Sequence, residues 1–264
     1  MQITSITPSI GAEISEIDLR TANDADIEKI RGALLDHLVV VFRGQNLDDR
    51  TQQELAARLG TVEQFPVGPP GGSDAPDVHQ ITTGGDAPKI ANADTWHSDA
   101  TFMECPPKAS LLRAVELPPL GGDTLWASSY VAYESLSSSV QRLIDGMTAT
   151  HSVTKSSAHR RPIHDQFPPV QHPVVRTHPE TGRKGLFVNR IFTVCLDGVT
   201  ERENEVLLPM LCDTYLQPDI QFRLRWEPGT VVLWDNRSTQ HYATFDYSIR
   251  REMRRILLRG DRPF

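Results

Sequence analysis

The sequence predicts a mostly β fold, an antiparallel barrel or sandwich with helices packed outside it. Segments rich in β-forming residues dominate the second half of the chain and are separated by loops and helices of irregular length. Neither a regular strand–helix alternation nor a glycine-rich nucleotide-binding motif occurs, which disfavours a doubly wound fold. The length allows one sizeable domain, and we expect residues 1–264 to form a single unit.

The individual elements follow from hydrophobic periodicity and from turn residues. The first predicted helix is capped by Asp24 or Asp26 and carries Ile27, Ile30, Leu34 and Leu38 on one face. The other predicted helices are 49–59, 130–145 and 201–215. The predicted strands are 2–7, 38–42, 110–117, 123–127, 184–189, 221–225, 231–235 and 255–259.

Two irregular stretches interrupt this pattern, one from Pro66 to Asn92 and one from Lys155 to Pro169. Six prolines and glycines fall within 66–72, and the second stretch is basic. Long irregular segments inside a compact domain are more often functional than accidental. We therefore expect both to be lids over a site.

Composition limits the possible partners and the compartment. Thirty-four acidic against 27 basic side chains give a net charge of −7, which argues against binding to nucleic acid or to a membrane surface. No secretion signal and no membrane-spanning apolar run is visible. The three cysteines are widely spaced and lack a CxxC pattern, as is typical of a reduced, cytoplasmic protein.

The most informative motif is His97-Ser98-Asp99. On a strand, His97 and Asp99 would point to the same side, and an imidazole with a carboxylate makes two thirds of the facial triad that holds non-haem Fe(II). His241 follows a strongly β segment and could close the triad from a neighbouring strand. Each signal alone is weak, because an H-x-D tripeptide recurs by chance and the chain has nine histidines.

A basic block, residues 250–255, follows His241 by nine to fourteen residues. Part of it can be a solvated strand end, as we expect for Arg250 and Arg254. A fork-shaped guanidinium is also the natural receptor for a carboxylate. One inward arginine near an iron ion would suit a dicarboxylate cosubstrate.

Several motifs in the same order resemble the taurine dioxygenase family, which also contains the alkylsulfatase and 2,4-D dioxygenases. They are His97-Ser98-Asp99, Gly121-Gly122-Asp123-Thr124-Leu125-Trp126, His172-Pro173-Val174-Val175-Arg176-Thr177-His178-Pro179, Trp234-Asp235-Asn236-Arg237 and His241-Tyr242-Ala243. The resemblance runs from Ile6-Thr7-Pro8 to Gly260-Asp261-Arg262-Pro263. It implies a double-stranded β-helix, or jelly-roll, core.

The resemblance also implies an activity, in which Fe(II), O₂ and 2-oxoglutarate hydroxylate a C–H bond and yield succinate and CO₂. His97, Asp99 and His241 would be the iron ligands, and Thr124 would hydrogen-bond 2-oxoglutarate. The distal carboxylate of 2-oxoglutarate would pair with Arg251. This arginine follows the distal histidine by ten residues, one fewer than the family spacing, so Arg250 is the alternative.

The substrate predicted from the same comparison is an anion with a hydrophobic body. Arg255 matches the family arginine that meets the anionic end of the substrate. The polar residues that surround the sulfonate in the taurine enzyme correspond here to Phe65, Gly68 and Ala93. We therefore expect an alkyl or aryl sulfate, sulfonate or carboxylate rather than taurine, in a pocket walled by Phe65, Phe102 and Phe192. A homo-oligomer, either a dimer or a tetramer, is also expected.

Two other hypotheses remain open at this point. Two histidines and a carboxylate also suit a zinc-type metal-dependent hydrolase, although no HExxH motif is present and Thr124 and the trailing arginine would have no task. A non-catalytic jelly-roll binding protein is the other alternative.

Four further residues are predicted to surround the site. Trp226 and Trp234 are predicted to pack around it, and Asp235 and Asn236 to orient the metal ligands.

Overall fold

The computed structural model describes residues 1–64, 75–87, 93–153 and 166–264. The first half of these residues forms β1 (Gln2–Ser5), β2 (Ala12–Ser15), α1 (Asp24–His37), β3 (Val39–Phe42), α2 (Asp49–Leu59), β4 (Val62–Glu63), β5 (His79–Thr83), β6 (Ala109–Glu116), β7 (Thr124–Ser128), α3 (Ser129–Glu134) and α4 (Ser138–Ile144). The second half forms β8 (Thr148–His151), β9 (Val170–Pro173), β10 (Val175–Thr177), β11 (Lys184–Leu186), β12 (Thr193–Leu196), α5 (Glu201–Asp213), two 3₁₀ turns (Thr214–Leu216 and Pro218–Ile220), β13 (Gln221–Leu224), β14 (Val231–Asp235), β15 (Thr239–Ala243) and β16 (Arg251–Leu258).

A large sheet and a small sheet organise the molecule. The large sheet has the order β1-β2-β3-β14-β6-β16-β4, and β5 also pairs with β16. The small sheet has the order β13-β7-β15, while β12-β8-β9 and β10-β11 form two further sheets. Every strand pair in these sheets is antiparallel except β2 with β3. The predicted antiparallel architecture is thereby confirmed.

Aromatic side chains fill the space between the large and the small sheet. Trp126 of β7 stacks on Phe222 of β13 with 5.3 Å between ring centroids, and it meets Trp234 of β14 edge-on at 5.7 Å. These rings belong to one buried cluster with Val232 and Met253 of the large sheet. The cluster joins the two sheets into a sandwich, and one edge of this interior carries the polar residues described below.

Helices cover the outer faces of the sandwich, as predicted. Ile27, Ile30 and Leu34 of α1 and Leu55 and Leu59 of α2 pack against apolar residues on the outer face of the large sheet. Residues of α3, α4 and α5 belong to a second cluster with the small sheet. Both predicted N-terminal helices are confirmed, with a different cap for α1. Its capping box pairs Asn23 with Asp26.

Two predicted elements differ from the structure. The helix expected over 130–145 is two helices, because Ser128 and Ser137 each accept a hydrogen bond from a backbone N–H and so start separate helices. The irregular stretch predicted for 66–92 contains the strand His79–Thr83, which pairs with β16. The other lid segments lie largely outside the described residues, which exclude 65–74, 88–92 and 154–165. In the described part of the chain, no helix is both long and apolar enough to span a membrane.

Candidate metal and cosubstrate site

His97, Asp99 and His241 meet at one end of the sandwich. His241 lies in β15, and its backbone exchanges two hydrogen bonds with His97, with N···O distances of 3.1 and 2.8 Å. The imidazole rings are 4.2 Å apart, and the ligand atoms of the three residues all lie within 4.8 Å of one another. The structure therefore brings the three predicted ligands into one cluster that could hold a metal ion.

The local conformation at His97-x-Asp99 differs from the prediction. These residues do not form a strand: His97 makes a single bridge to β15, and Asp99 begins a turn in which Ala100 has a φ of 48°. The prediction of a shared strand face is wrong. The turn and the bridge together bring the carboxylate of Asp99 to the imidazoles, so the two side chains still converge.

The protonation states of the two imidazoles suit a metal. Nδ1 of His97 lies 2.7 Å from the carbonyl oxygen of Thr95, so this nitrogen carries the proton and Nε2 keeps its lone pair. Burial lowers the pKa of His97. Burial and the adjacent His97 lower the pKa of His241 to about 3. Both rings are therefore neutral donors at neutral pH.

Asp99 is held in its ionised form. Burial opposes its charge, but Arg255 outweighs that effect together with His241 and His97, which carry positive charge when protonated at acidic pH, and the pKa of Asp99 falls to about 2. Nη1 of Arg255 lies 3.2 Å from Oδ1 of Asp99, and Ser110 donates a hydrogen bond of 2.8 Å to Oδ2. A carboxylate and two neutral imidazoles form the donor set of a 2-His-1-carboxylate triad.

Arg251 and Thr124 lie on the same interior face as the triad. Thr124 is paired with Ala243, two residues beyond His241 on β15, and side chains two apart on a strand share a face. Arg251 is buried with its guanidinium 5.8 Å from the ring of Trp226. Trp226 donates a hydrogen bond of 3.0 Å to the hydroxyl oxygen of Thr124, which joins these residues in one cluster.

Arg251, the first residue of β16, and Arg250, which precedes the strand, have different surroundings. Met253 of β16 lies in the core between the sheets, so Arg251 and Arg255 share its inward face. Arg250 is exposed and pairs with Glu116 and Glu252. Nε of Arg251, in contrast, is buried and has no hydrogen-bond partner in the described part of the chain.

The sequence did not indicate two neighbours of Arg251. The hydroxyl of Tyr247 lies 2.6 Å from that of Thr83 and also interacts with the Arg251 guanidinium. Gly122 has a φ of +73°, and a Cβ there would lie 3.1 Å from Arg251 and 3.2 Å from Tyr247. The glycine lets the backbone approach the arginine, and the Gly121-Gly122 pair was the signal that could have been used.

The predicted substrate residues are only partly brought to this cluster. Arg255 lies beside Asp99, so its positive charge is next to the triad. The carbonyl of Ala93 accepts a hydrogen bond from Ala243 of β15. Phe102 and Phe192 are buried against each other with ring centroids 5.1 Å apart. Phe65 and Gly68 lie outside the described residues.

Asp235, predicted to orient a metal ligand, instead joins a buried ion-pair network. Nδ1 of His178 accepts from two backbone N–H groups, so Nε2 carries the proton and donates to Asp235 over 3.1 Å. Arg237 binds the same carboxylate through two nitrogens. Burial raises the pKa of Asp235, but His178 and Arg237 outweigh burial and hold it well below its usual range.

Replacing Asp235 with Asn is expected to lower the free energy of unfolding at pH 7 by roughly 1.5–3 kcal/mol, the range for hydrogen bonds to charged groups. A lowered carboxyl pKa stabilises the fold above the unfolded pKa, about 3.9, and the benefit is lost as pH falls further. Urea unfolding should therefore give the same difference at pH 7 and pH 5 and a smaller one below about pH 4. A difference that grows on acidification would contradict this account.

Comparison with known proteins places the chain among oxygenases. The model of the family described as "Taurine catabolism dioxygenase TauD, TfdA family" matches residues 2–258. The chain is 36% identical to the alkylsulfatase of Acinetobacter baylyi, over 99% of this chain and 86% of the relative. It is 35% identical to the alpha-ketoglutarate-dependent sulfate ester dioxygenase of Pseudomonas putida, over 100% and 91% of the two chains.

Solved structures agree with the sequence relatives. A taurine dioxygenase from Burkholderia xenovorans superimposes with a TM-score of 0.86 at 34% identity, covering 99% of this chain and 92% of the other. AAD-2 in complex with Mn(II) and N-oxalylglycine gives a TM-score of 0.86 at 26% identity, covering 99% and 98%. The likeness over nearly the whole chain confirms the predicted jelly-roll core.

Proposed function

The chain belongs to the TauD/TfdA family and is a 2-oxoglutarate-dependent dioxygenase, and we propose that it uses Fe(II) to oxidise a small organic anion with an apolar body. Family membership decides against the two other hypotheses, a zinc-type hydrolase and a non-catalytic binding protein. One observation carries the proposal: the His97–Asp99–His241 cluster and the buried Arg251 face the same interior of the sandwich.

The donor chemistry of the cluster supports Fe(II) as the metal. Two imidazole nitrogens and one carboxylate oxygen form the triad of non-haem Fe(II) oxygenases and leave about three coordination positions for other ligands. Mn(II), an ion of the same charge, is bound in the solved relative AAD-2. The protein ligands in this chain are His97, Asp99 and His241.

Arg251 and Thr124 are proposed to bind 2-oxoglutarate. Nε of Arg251 is a buried donor that lacks an acceptor among the described residues, and a carboxylate would supply one. The hydroxyl oxygen of Thr124 accepts from Trp226, which directs the hydroxyl proton elsewhere and makes it available to a second carboxylate oxygen. N-oxalylglycine, present in the solved relative, is 2-oxoglutarate with an amide NH in place of one methylene.

The residues of this chain have distinct tasks in the reaction. Bound Fe(II) supplies the chemistry in which O₂ and 2-oxoglutarate yield succinate and CO₂ while a substrate C–H bond is hydroxylated. Thr124 and Arg251 orient the cosubstrate, and Arg255 orients the anionic end of the substrate. Phe102 and Phe192 are proposed as apolar walls that keep water from the reacting carbon.

The substrate class is proposed from charge and polarity. Arg255 places a positive charge beside the triad, and a guanidinium has five N–H donors, so its bond to Asp99 does not exclude a second anion. Two relatives of similar identity are named for sulfate esters or their hydrolysis, alkylsulfatase and sulfate ester dioxygenase. An alkyl or aryl sulfate, sulfonate or carboxylate is therefore preferred over taurine.

A competition assay tests the substrate class. We expect longer alkyl or aryl sulfates, sulfonates and carboxylates to be consumed in preference to taurine, measured as succinate release coupled to substrate loss. The apolar body gains about 25 cal/mol per Å² removed from water, whereas the ammonium of taurine would be buried without partners.

Arg255→Ala should raise the KM for the preferred anion at least tenfold. Arg254→Ala is the matched control, because Arg254 lies on the same strand and pairs with Asp49 and Glu252 on the opposite face. Preference for taurine would contradict the proposed pocket. Preference for a neutral substrate, with Arg255→Ala unimpaired, would contradict the anion receptor.

A further inference from the structure

A buried chain of three hydrogen bonds ends on the carboxylate of Asp99. Nε1 of Trp234 donates to Oδ1 of Asn236 over 2.8 Å, and Nδ2 of Asn236 donates to Oγ of Ser110 over 2.8 Å. Ser110 donates to Oδ2 of Asp99 over 2.8 Å. All four side chains are almost completely buried, so water does not compete for these bonds.

The direction of every bond in the chain is fixed by the chemistry of the groups. An indole N–H can only donate, so the oxygen of the Asn236 amide must face Trp234 and its NH₂ must face Ser110. The hydroxyl oxygen of Ser110 accepts that N–H and has a single proton of its own, which an ionised Asp99 accepts. Reversing any one bond would leave two donors or two acceptors facing each other.

Because of these bond directions, the two carboxylate oxygens of Asp99 have different partners. Oδ2 is occupied by Ser110, whereas Oδ1 lies 3.8 Å from Nε2 of His241 and 3.2 Å from Arg255. Oδ1 is thus the oxygen directed toward His241 and Arg255. The bond from Ser110, whose hydroxyl is itself held by Asn236, opposes rotation of the carboxylate about its Cβ–Cγ bond.

The large sheet does not need these three hydrogen bonds to hold its strands together. Trp234 of β14 is already paired with Ser110 of β6 in the backbone ladder of the large sheet. A satisfied polar chain contributes little more to stability than apolar side chains of the same shape. The Asn236 backbone is also tied to the His97-x-Asp99 motif, because the hydroxyl of Ser98 donates to its carbonyl over 2.8 Å.

We propose that Ser110, Asn236 and Trp234 are positioning residues that orient Asp99 and thereby set the metal affinity of the site. The inference rests on the proposed function, in which Asp99 is a metal ligand. Outer hydrogen-bond partners of metal ligands typically change metal affinity by roughly 10- to 100-fold when they are removed. The effect should decline from Ser110 to Asn236 to Trp234, because of these three residues Ser110 is the one that bonds to Asp99.

The test is direct metal binding with Mn(II) as the probe, followed by the EPR signal of the free ion. Ser110→Ala is expected to raise the Kd for Mn(II) roughly 10- to 100-fold. Asn236→Leu, which keeps the size of the side chain, should raise it less in the wild-type background. In the Ser110→Ala background it should have no further effect, because the connection to Asp99 is already broken. Ser110→Cys, with a weak donor of similar size, serves if the alanine variant does not fold.

The control variants separate a positioning role from a structural one. Ser128→Ala removes a buried serine that caps α3, so it should lower thermal stability and leave the Kd for Mn(II) unchanged. An unchanged Kd in folded Ser110→Ala or Ser110→Cys would overturn the inference. Equal effects of Asn236→Leu with and without Ser110 would overturn it as well. If His97→Ala also bound Mn(II) like the wild type, the proposed metal site itself would be wrong.

Discussion

Asp99→Ala is expected to abolish turnover and metal binding while the chain still folds. In the proposed metal site Asp99 is one of three protein ligands and the negative one among them, so its loss would remove both a donor atom and the charge that offsets the cation. The sandwich itself is held by the aromatic cluster around Trp126, which does not include Asp99. The same loss is expected for His97→Ala and His241→Ala.

The measurements are succinate release with Fe(II) and 2-oxoglutarate, metal content after dialysis, and circular dichroism to verify the fold. His37→Ala is the matched control, because this half-exposed histidine lies in the last turn of α1, outside the site. It should retain full turnover. Full activity of folded Asp99→Ala would show that the triad assignment is wrong.

Local pattern was sufficient to predict the fold class and eight of the sixteen strands in the described part of the chain. Apolar segments predicted β14 and the second half of β16, and helical spacing predicted α1 and α2, because each of these segments buries a regular set of side chains. Such patterns do not show which strands pair. The neighbours of β16, including the strand His79–Thr83 within the stretch predicted to be irregular, depend on contacts far apart in sequence.

The His97–Asp99–His241 cluster shows that predicted residues can converge for a reason that the sequence does not contain. The interpretation assumed a strand over His97-x-Asp99, but the backbone turns after a single bridge to β15. Ser110 could not be predicted as a partner of Asp99, since a single serine within a strand has no distinctive spacing. Whether Ser110 lies close to Asp99 depends on the register of β6 against β14.

Arg250 was kept as the alternative to Arg251 because Arg251 follows the distal histidine by ten residues, one fewer than the family spacing. The two faces of β16 do not differ simply in being covered or open. Met253 packs inward between the sheets, while Arg254 on the other face pairs with Asp49 of α2. An arginine on either face could therefore be partly buried. Only the three-dimensional arrangement shows that Arg251 shares the inward face and that Arg250 is paired with glutamates at the surface.

Arg251→Ala is expected to weaken the binding of 2-oxoglutarate by roughly 2–5 kcal/mol, the cost of truncating one partner of a buried charged pair. This corresponds to a rise in Kd of roughly 30- to 5000-fold. Calorimetric titration of 2-oxoglutarate into Mn(II)-loaded protein measures it without turnover. Arg251→Lys should lie between the wild type and Arg251→Ala, because it keeps the charge and loses the fork that matches a carboxylate.

Arg250→Ala is the matched control for this prediction, since it removes the guanidinium of the preceding residue, just before β16 begins. Arg250 is exposed and its partners are Glu116 and Glu252, so we expect the Kd for 2-oxoglutarate to change less than twofold. A large loss in Arg250→Ala with normal binding in Arg251→Ala would move the cosubstrate site by one residue to the other face of β16. Because that face packs against α2, away from the triad, such a result would also separate the cosubstrate from the proposed metal. The two variants together therefore test whether both ligands share the interior of the sandwich.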